Sequence, residues 1–385
     1  MPRMLNISKL YCGQPSSGDA LRYSNSAHKR PVVVWNCTQT CNLSCIHCYS
    51  NSYNRTYPNE LTSNQAKAMI ADMADFGVPV LLFSGGEPLM RRDIFDLAAF
   101  ASSSGLKCVL STNGTLITRD NARKIKKAGF SYVGISLDGI GRTNDAFRGM
   151  LGAYDSALRG IRNCLAEGIR TGLRFTITRK TYKDLPGIFR IVQDEGIHRL
   201  CLYHLVYVGR GSDLAKDDLS IQEMRGLMDH VLETSRQFSS SGQNSEILTV
   251  DNHADGAYLY LKLEKENPNL AESALNLLKI NGGNSSGVGI GCIDSNGHVH
   301  PDQFWRHYSL GNIKERRFSD IWTDDSEPLF SALKRRKAFL KGRCSQCKFL
   351  DICNGNLRVR AEAVYGDIWA QDPACYLTDQ EIGVA

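Results

Sequence analysis

The 385 residues are 42% hydrophobic and 22% charged, which suits a globular protein with a buried core and excludes a disordered chain or a collagen. Lys and Arg outnumber Asp and Glu by 46 to 40, a net +6 spread along the chain, too weak to mark a nucleic-acid binder and compatible with an anionic small substrate. No apolar run is long enough to cross a membrane and the N-terminus lacks the apolar core of a signal peptide, so a cytoplasmic protein without membrane attachment is expected.

Short β-rich runs alternate with helical patterns from residue 32 onward. Strands are predicted at 32–36, 80–84, 107–111, 132–137, 172–177 and 200–206. Thr62 and Gln65 form a capping box that opens the clearest helix, which stops at Gly77. Gly105, Gly129, Gly168 and Gly196 follow further helical runs, where a left-handed terminator belongs. Strand–helix units in series imply an α/β fold with a parallel sheet. The six units fall short of a closed (β/α)₈ barrel, so an open partial (β/α)₆ TIM barrel is expected, with its chemistry at the C-terminal strand ends.

Beyond residue 215 the pattern changes. Ser220 and Glu223 form a second capping box, opening a helix to about Phe238; a short strand at 247–250 and a helical run at 269–280 follow. The stretch 282–291 is glycine-rich and reads as a junction. Asn296-Gly297 between short β-like runs predicts a type I′ hairpin. The expected division is an N-terminal extension (1–30), the partial barrel (31–215), a connecting helical segment (216–290) and a cysteine-bearing module (291–385).

The cysteines carry the chemistry. There are 13, an odd number in a chain too long to need disulfides, so their spacing reads as metal or cluster ligation. Cys41-Asn-Leu-Ser-Cys45-Ile-His-Cys48 follows the first strand. Three thiolates in one loop suit a [4Fe–4S] cluster and leave one iron open to an exogenous ligand. The alternatives are a zinc site short of its fourth ligand or three buried structural cysteines. Cys344, Cys347, Cys353 and Cys375 form a second set, suited to a fully ligated cluster or to tetrahedral zinc. Cys12, Cys37, Cys108, Cys164 and Cys201 fall in or beside predicted core elements and read as packing residues.

Together with Ser84-Gly-Gly-Glu87-Pro88 at the end of the second strand, the first set resembles the radical S-adenosylmethionine (SAM) superfamily across residues 30–210. The resemblance implies that the open iron binds the methionyl amine and carboxylate of SAM. It also implies that Gly85, Gly86, Glu87 and Pro88 hold the methionyl ammonium, with Glu87 as a charge-assisted acceptor. Asn113, Ser136, Asp138 and Arg148 match further SAM-contacting positions, and His47 matches one beside the adenine. Each of these also fits a plain turn or cap residue. The implied activity is reductive cleavage of SAM to a 5′-deoxyadenosyl radical that takes hydrogen from a substrate carbon, fed by a low-potential electron donor.

The second set resembles the auxiliary-cluster module of SPASM or twitch-like domains, in a single-cluster version with an electron-relay role. Leu357 and Asp302 stand where two-cluster modules carry cysteine, which leaves Cys292 alone. Cys292 is the candidate catalytic residue, as a hydrogen donor or iron contact near the substrate; a buried structural thiol is its alternative.

Met4-Leu-Asn-Ile-Ser-Lys-Leu-Tyr-Cys-Gly13, Asp19-Ala-Leu-Arg-Tyr23 and Pro31-Val-Val-Val-Trp-Asn36 resemble the radical SAM enzymes of haem biosynthesis. That resemblance implies a tetrapyrrole substrate: 12,18-didecarboxysiroheme, losing two acetate side chains to give Fe-coproporphyrin III. The alternatives are the haem d1 branch, which removes propionates from the same substrate, a SPASM-type peptide maturase, and an iron–sulfur carrier. A flat polyanion with a central iron calls for cations and aromatics. Arg174, Tyr203, His204 and Arg210, and the run Phe304, Trp305, Arg306 and His307, are the candidates for its walls.

Overall fold

The structure, a computed structural model, describes residues 4–13, 30–243 and 245–384. The Asp19–Tyr23 segment quoted above lies outside them. The strands, in chain order, are β1 (Leu5–Asn6), β2 (Val32–Asn36), β3 (Val80–Ser84), β4 (Lys107–Thr112), β5 (Tyr132–Ser136), β6 (Thr171–Ile177), β7 (Arg199–His204), β8 (Glu246–Val250), β9 (Ile290–Ile293), β10 (His298–His300) and β11 (Gly311–Asn312). All belong to one sheet of order β1-β8-β7-β6-β5-β4-β3-β2-β9-β10-β11.

The six expected strands, β2 to β7, form side by side and parallel, with helices between them. The parallel run is longer than expected. β8 adds to β7, and β9 adds to the opposite margin beside β2. The sheet stays open, because its ends carry β1 and β11 instead of each other. It therefore runs on through residues 215 and 290.

Side-chain alternation divides the sheet cleanly. Val33, Trp35, Leu81, Phe83, Leu110, Val133, Ile135, Leu173 and Phe175 face the helices in the main core. Val32, Val34, Val80, Leu82, Val109, Tyr132, Ile290 and Cys292 form a separate cluster on the inner face. Strands buried on both faces carry the continuous apolar runs seen in the sequence. Both expected capping boxes are present, on helices Ser63–Asp75 and Ile221–Ser240.

The hairpin between β9 and β10 departs from type I′. Gly297 is at φ 93°, but Asn296 is not in the left-handed region, which type I′ requires. Gly297 N donates to Asp294 O (3.1 Å) and Asp294 N to His298 O (2.9 Å), a wider turn that needs one glycine. No helix among the described residues is long and apolar enough to cross a membrane.

Candidate active site and cluster sites

The strand ends and the loop after β2 surround a cavity of about 1310 Å³ of atom-free space, part of it open to solvent. Its wall brings together Cys41, Cys45 and Cys48 with Gly85, Gly86, Asn113, Ser136, Arg148 and His47.

The cysteine loop is shaped by main-chain bonds to distant segments. Cys41 N donates to Tyr53 O (3.0 Å), Ser44 N to Arg148 O (3.3 Å) and Ile46 N to Phe147 O (3.0 Å). Arg210, expected toward the substrate, clamps this loop instead: its Nε donates to Cys45 O (2.7 Å) and its Nη1 to Ser52 O (3.1 Å). Gly86 N donates to Thr38 O (2.7 Å) and Glu87 N to Thr40 O (2.8 Å). A Cβ on Gly85 would collide with Thr38 O, and one on Gly86 with Thr40 O. Both glycines are thus required by a close pass of two chains at the root of the cysteine loop.

Glu87 is fully buried and stands behind the cavity wall. Its carboxylate accepts from the Thr112 hydroxyl (2.8 Å), Asn113 N (2.8 Å) and Leu89 N (3.1 Å), tying the end of β3 to the end of β4. Burial pushes the carboxyl up and these donors pull it back. Pro88 opens the short turn behind it and does not line the cavity.

Asp138 is also behind the wall, fully buried, paired with Arg148 and accepting from Thr176 N (2.6 Å). Arg148 reaches the cavity, with Nη1 at 3.8 Å from Cys45 Sγ. Asn113 Nδ2 donates to Asn42 Oδ1 (2.9 Å) and lies 4.0 Å from Cys41 Sγ. His47 stacks on Phe147, ring centroids 4.4 Å apart, and burial lowers it to about 4, so it is neutral at pH 7.

These residues fit a cluster with an open corner. The sulfurs have donors close by: Leu43 N at 3.4 Å from Cys41 Sγ, Arg148 by Cys45, and the Ser50 hydroxyl at 3.3 Å from Cys48 Sγ. Burial pushes the Cys41 thiol up to about 12, so a bound cation is what would hold it as thiolate. Buried His47 Nδ1 and Arg148 Nε have no hydrogen-bond partner among the described residues, and both residues lie on the wall where SAM would sit.

The second set converges too. Cys344, Cys347, Cys353 and Cys375 line one pocket of about 440 Å³ of atom-free space. Burial raises the Cys353 thiol, and the other three cysteines raise it further by proximity. Among the described residues no three His, Cys, Asp or Glu side chains converge on a single-ion site. Leu357 and Asp302 line a further small pocket with Asp251, where the Asp302 carboxylate takes the Ser286 hydroxyl.

Cys292 is not in that pocket, nor on the cavity wall. Its register with Val34 places it among the aliphatic side chains of the inner face, fully buried. It meets Asn36 Nδ2 at 3.6 Å; Asn36 Oδ1 accepts from the Tyr49 hydroxyl (3.0 Å), and Tyr49 lines the cavity. Burial pushes its thiol up, so it stays neutral. Cys292 thus connects to the cavity through Asn36 and Tyr49.

Of the expected substrate walls, Arg174, Tyr203 and Phe304 line the cavity. Trp305 turns away into a buried cluster, and exposed His307 stacks on it and bonds Glu362 at 3.0 Å. Arg306 is half-buried off the wall. His204 reaches the rim of the cavity, but its Nε2 bonds Asp255 Oδ2 at 2.8 Å. Tyr49, Thr176, Asp251 and Gln303 are wall residues that the sequence reading passed over. Their one signal is position, each lying at or after the C-terminal end of an element.

Asp251 is buried at φ 68°, and its carboxyl makes no hydrogen bond among the described residues. Burial raises it to about 7, with Asp302 pushing up and Arg360 and His204 pulling down. A carboxyl raised above its unfolded value near ~3.9 favours the fold below that pH, and the benefit is lost as pH rises through 7. Asp251→Asn is therefore expected to gain roughly 2–4 kcal/mol on the wild type between pH 4 and pH 8 in urea unfolding. Parallel pH curves would count against the raised value.

Residues 35–192 match the radical SAM superfamily, and residues 289–348 match an iron–sulfur cluster-binding domain, SPASM. Fe-coproporphyrin III synthase of Methanosarcina barkeri is 56% identical over 99% of this chain and 99% of its own length. Pre-heme d1 synthase of Dinoroseobacter shibae is 45% identical over 92% of this chain and 88% of its own. Among solved structures, SuiB of Streptococcus suis superposes with TM-score 0.71 at 20% identity, covering 91% of this chain and 78% of that one. The enzyme anSMEcpe with bound AdoMet gives 0.69 at 18% identity, covering 90% and 94%; both show a shared fold. The chain belongs to the radical SAM superfamily, an enzyme with a [4Fe–4S] cluster and SAM in its partial barrel and an auxiliary iron–sulfur cluster in its SPASM module.

Proposed function

We propose that the enzyme removes the two acetate side chains of 12,18-didecarboxysiroheme to give Fe-coproporphyrin III. The supporting observation is the end-to-end match, at 56% identity, to the Fe-coproporphyrin III synthase of Methanosarcina barkeri. When bound, the open cluster and SAM supply one-electron cleavage to an adenosyl radical, and the auxiliary cluster supplies a second redox centre. The chain's own part is positioning. Cys41, Cys45 and Cys48 fix the cluster, with Arg148 and Asn113 beside two of the sulfurs. His47 and Ser136, on the cavity wall, would contact SAM, and Tyr49, Tyr203 and Phe304 offer aromatic surface to a macrocycle. A low-potential one-electron donor and a cytoplasmic location complete the reading.

Mass spectrometry of the product from anaerobic turnover of didecarboxysiroheme tests it. Loss of both acetates is the expected result; loss of propionates instead would place the chain in the haem d1 branch. No change in the tetrapyrrole would sink both.

A further inference from the structure

We propose that Arg174 is the anchor for a carboxylate of the bound tetrapyrrole, a socket built into the barrel interior from β4, β5, β6 and β7; it rests on the tetrapyrrole reading above. Arg174 lines the cavity from β6. Its Nη1 donates to the Ser111 hydroxyl of β4, and its Nε has no hydrogen-bond partner among the described residues. The ionisable groups around it are the phenols of Tyr203, Tyr132 and Tyr49, which burial keeps neutral at pH 7, and the thiol of Cys201. Its inner neighbours are different. Arg148 is paired with Asp138, and Arg199, deeper in the barrel, with Glu246. Among the described residues, Arg174 lines the cavity with no carboxylate paired to it, an arrangement that is costly unless a ligand completes it.

The surroundings fit a planar fork. Tyr203 presents its ring 5.9 Å from the guanidinium carbon. Gly134 on β5 leaves the space that the guanidinium occupies, because a Cβ there would run into Arg174 Nε. Gly134 lacks the positive φ that would demand glycine for its backbone, so the space is what glycine supplies. A carboxylate takes two parallel bonds from such a fork. SAM carries a carboxylate as well, but the arginine beside a cluster cysteine is Arg148, at Cys45, whereas the side-chain hydrogen bond of Arg174 goes to Ser111 on β4.

The test uses cluster-reconstituted protein with Arg174→Gln, Arg174→Lys and Gly134→Ala. Fe-coproporphyrin III and its tetramethyl ester are titrated by absorbance, and SAM is titrated separately without reductant. The wild type is expected to prefer the free acid. Arg174→Gln should bind the acid about 10- to 100-fold more weakly and lose the preference over the ester, with Arg174→Lys intermediate. Gly134→Ala keeps every charge and should weaken acid binding by crowding the guanidinium. SAM binding should hold in all three. Arg174→Gln should melt no lower than wild type, since an unpaired buried charge is gone. Equal acid binding in wild type and Arg174→Gln overturns the anchor and leaves the tetrapyrrole reading standing. Loss of SAM binding instead, or a lower melting point with the acid preference intact, also overturns it. A wild type that binds neither porphyrin removes the tetrapyrrole reading and the anchor with it.

Discussion

Replacing Cys41, Cys45 and Cys48 together by alanine is expected to halve the iron and sulfide content and to abolish 5′-deoxyadenosine formation, by at least ~10³-fold. All three sulfurs lie on one cavity wall, and the other four cysteines lie in a separate pocket. Alanine at Cys344 and Cys353 should therefore remove the other half of the iron while reductive SAM cleavage survives, and product formation should fall. Iron and sulfide assays with quantification of 5′-deoxyadenosine after dithionite reduction decide it. The separation of roles is wrong if the Cys344 and Cys353 changes also end SAM cleavage while the first cluster is still present.

The second large effect is on stability. Arg360 and Asp372 are both fully buried and joined at 2.8 Å. Arg360 Nη1 also donates to Leu205 O (2.9 Å), and its Nη2 to Asp251 O (2.9 Å), at two strand ends beside the cavity. Asp372 lines the auxiliary-cluster pocket and accepts from Leu357 N (3.0 Å). Arg360→Met would leave Asp372 buried without its paired cation, a cost of about 3–5 kcal/mol. A fall of roughly 4–6 °C in melting temperature is expected by calorimetry. Arg360→Met with Asp372→Leu should recover part of it, since then no lone charge remains. Equal melting of the single and double variants would show that the loss is one of packing alone.

Much of this was legible in the sequence, and the exceptions share a physical reason. The strands β2 to β7 announce themselves as short apolar runs, because a parallel sheet covered on both faces has no polar side to interrupt them. Thr62 with Gln65 and Ser220 with Glu223 are local chemistry, and local chemistry survives folding. Helix Ala254–Glu266 went unseen: it starts after His253 with no side-chain cap, so it lacks a start signal. The four-residue β9 pairs with β2 across most of the chain, and nothing near residue 290 reports that partnership. Motif spacing picked out two cysteine sets that the fold gathers at two pockets, but it said little about facing. Glu87, Asp138 and Arg210 sit one shell behind the cavity, and Cys292 beneath it, because register and helix contacts set direction. Asp251 and Gln303 belong to no motif, and their places follow from the sheet alone.

The pairing of β9 with β2 also bears on how the gene can be cut. A fragment ending at residue 215 would lack β8 and β9 and so bare β2 and β7 along their full lengths. Each would offer an unsatisfied row of amides and carbonyls to any passing chain, the condition that drives sticking and precipitation. The barrel half is thus a poor object for separate expression. The later residues serve as its selvedge as well as carrying the second cluster.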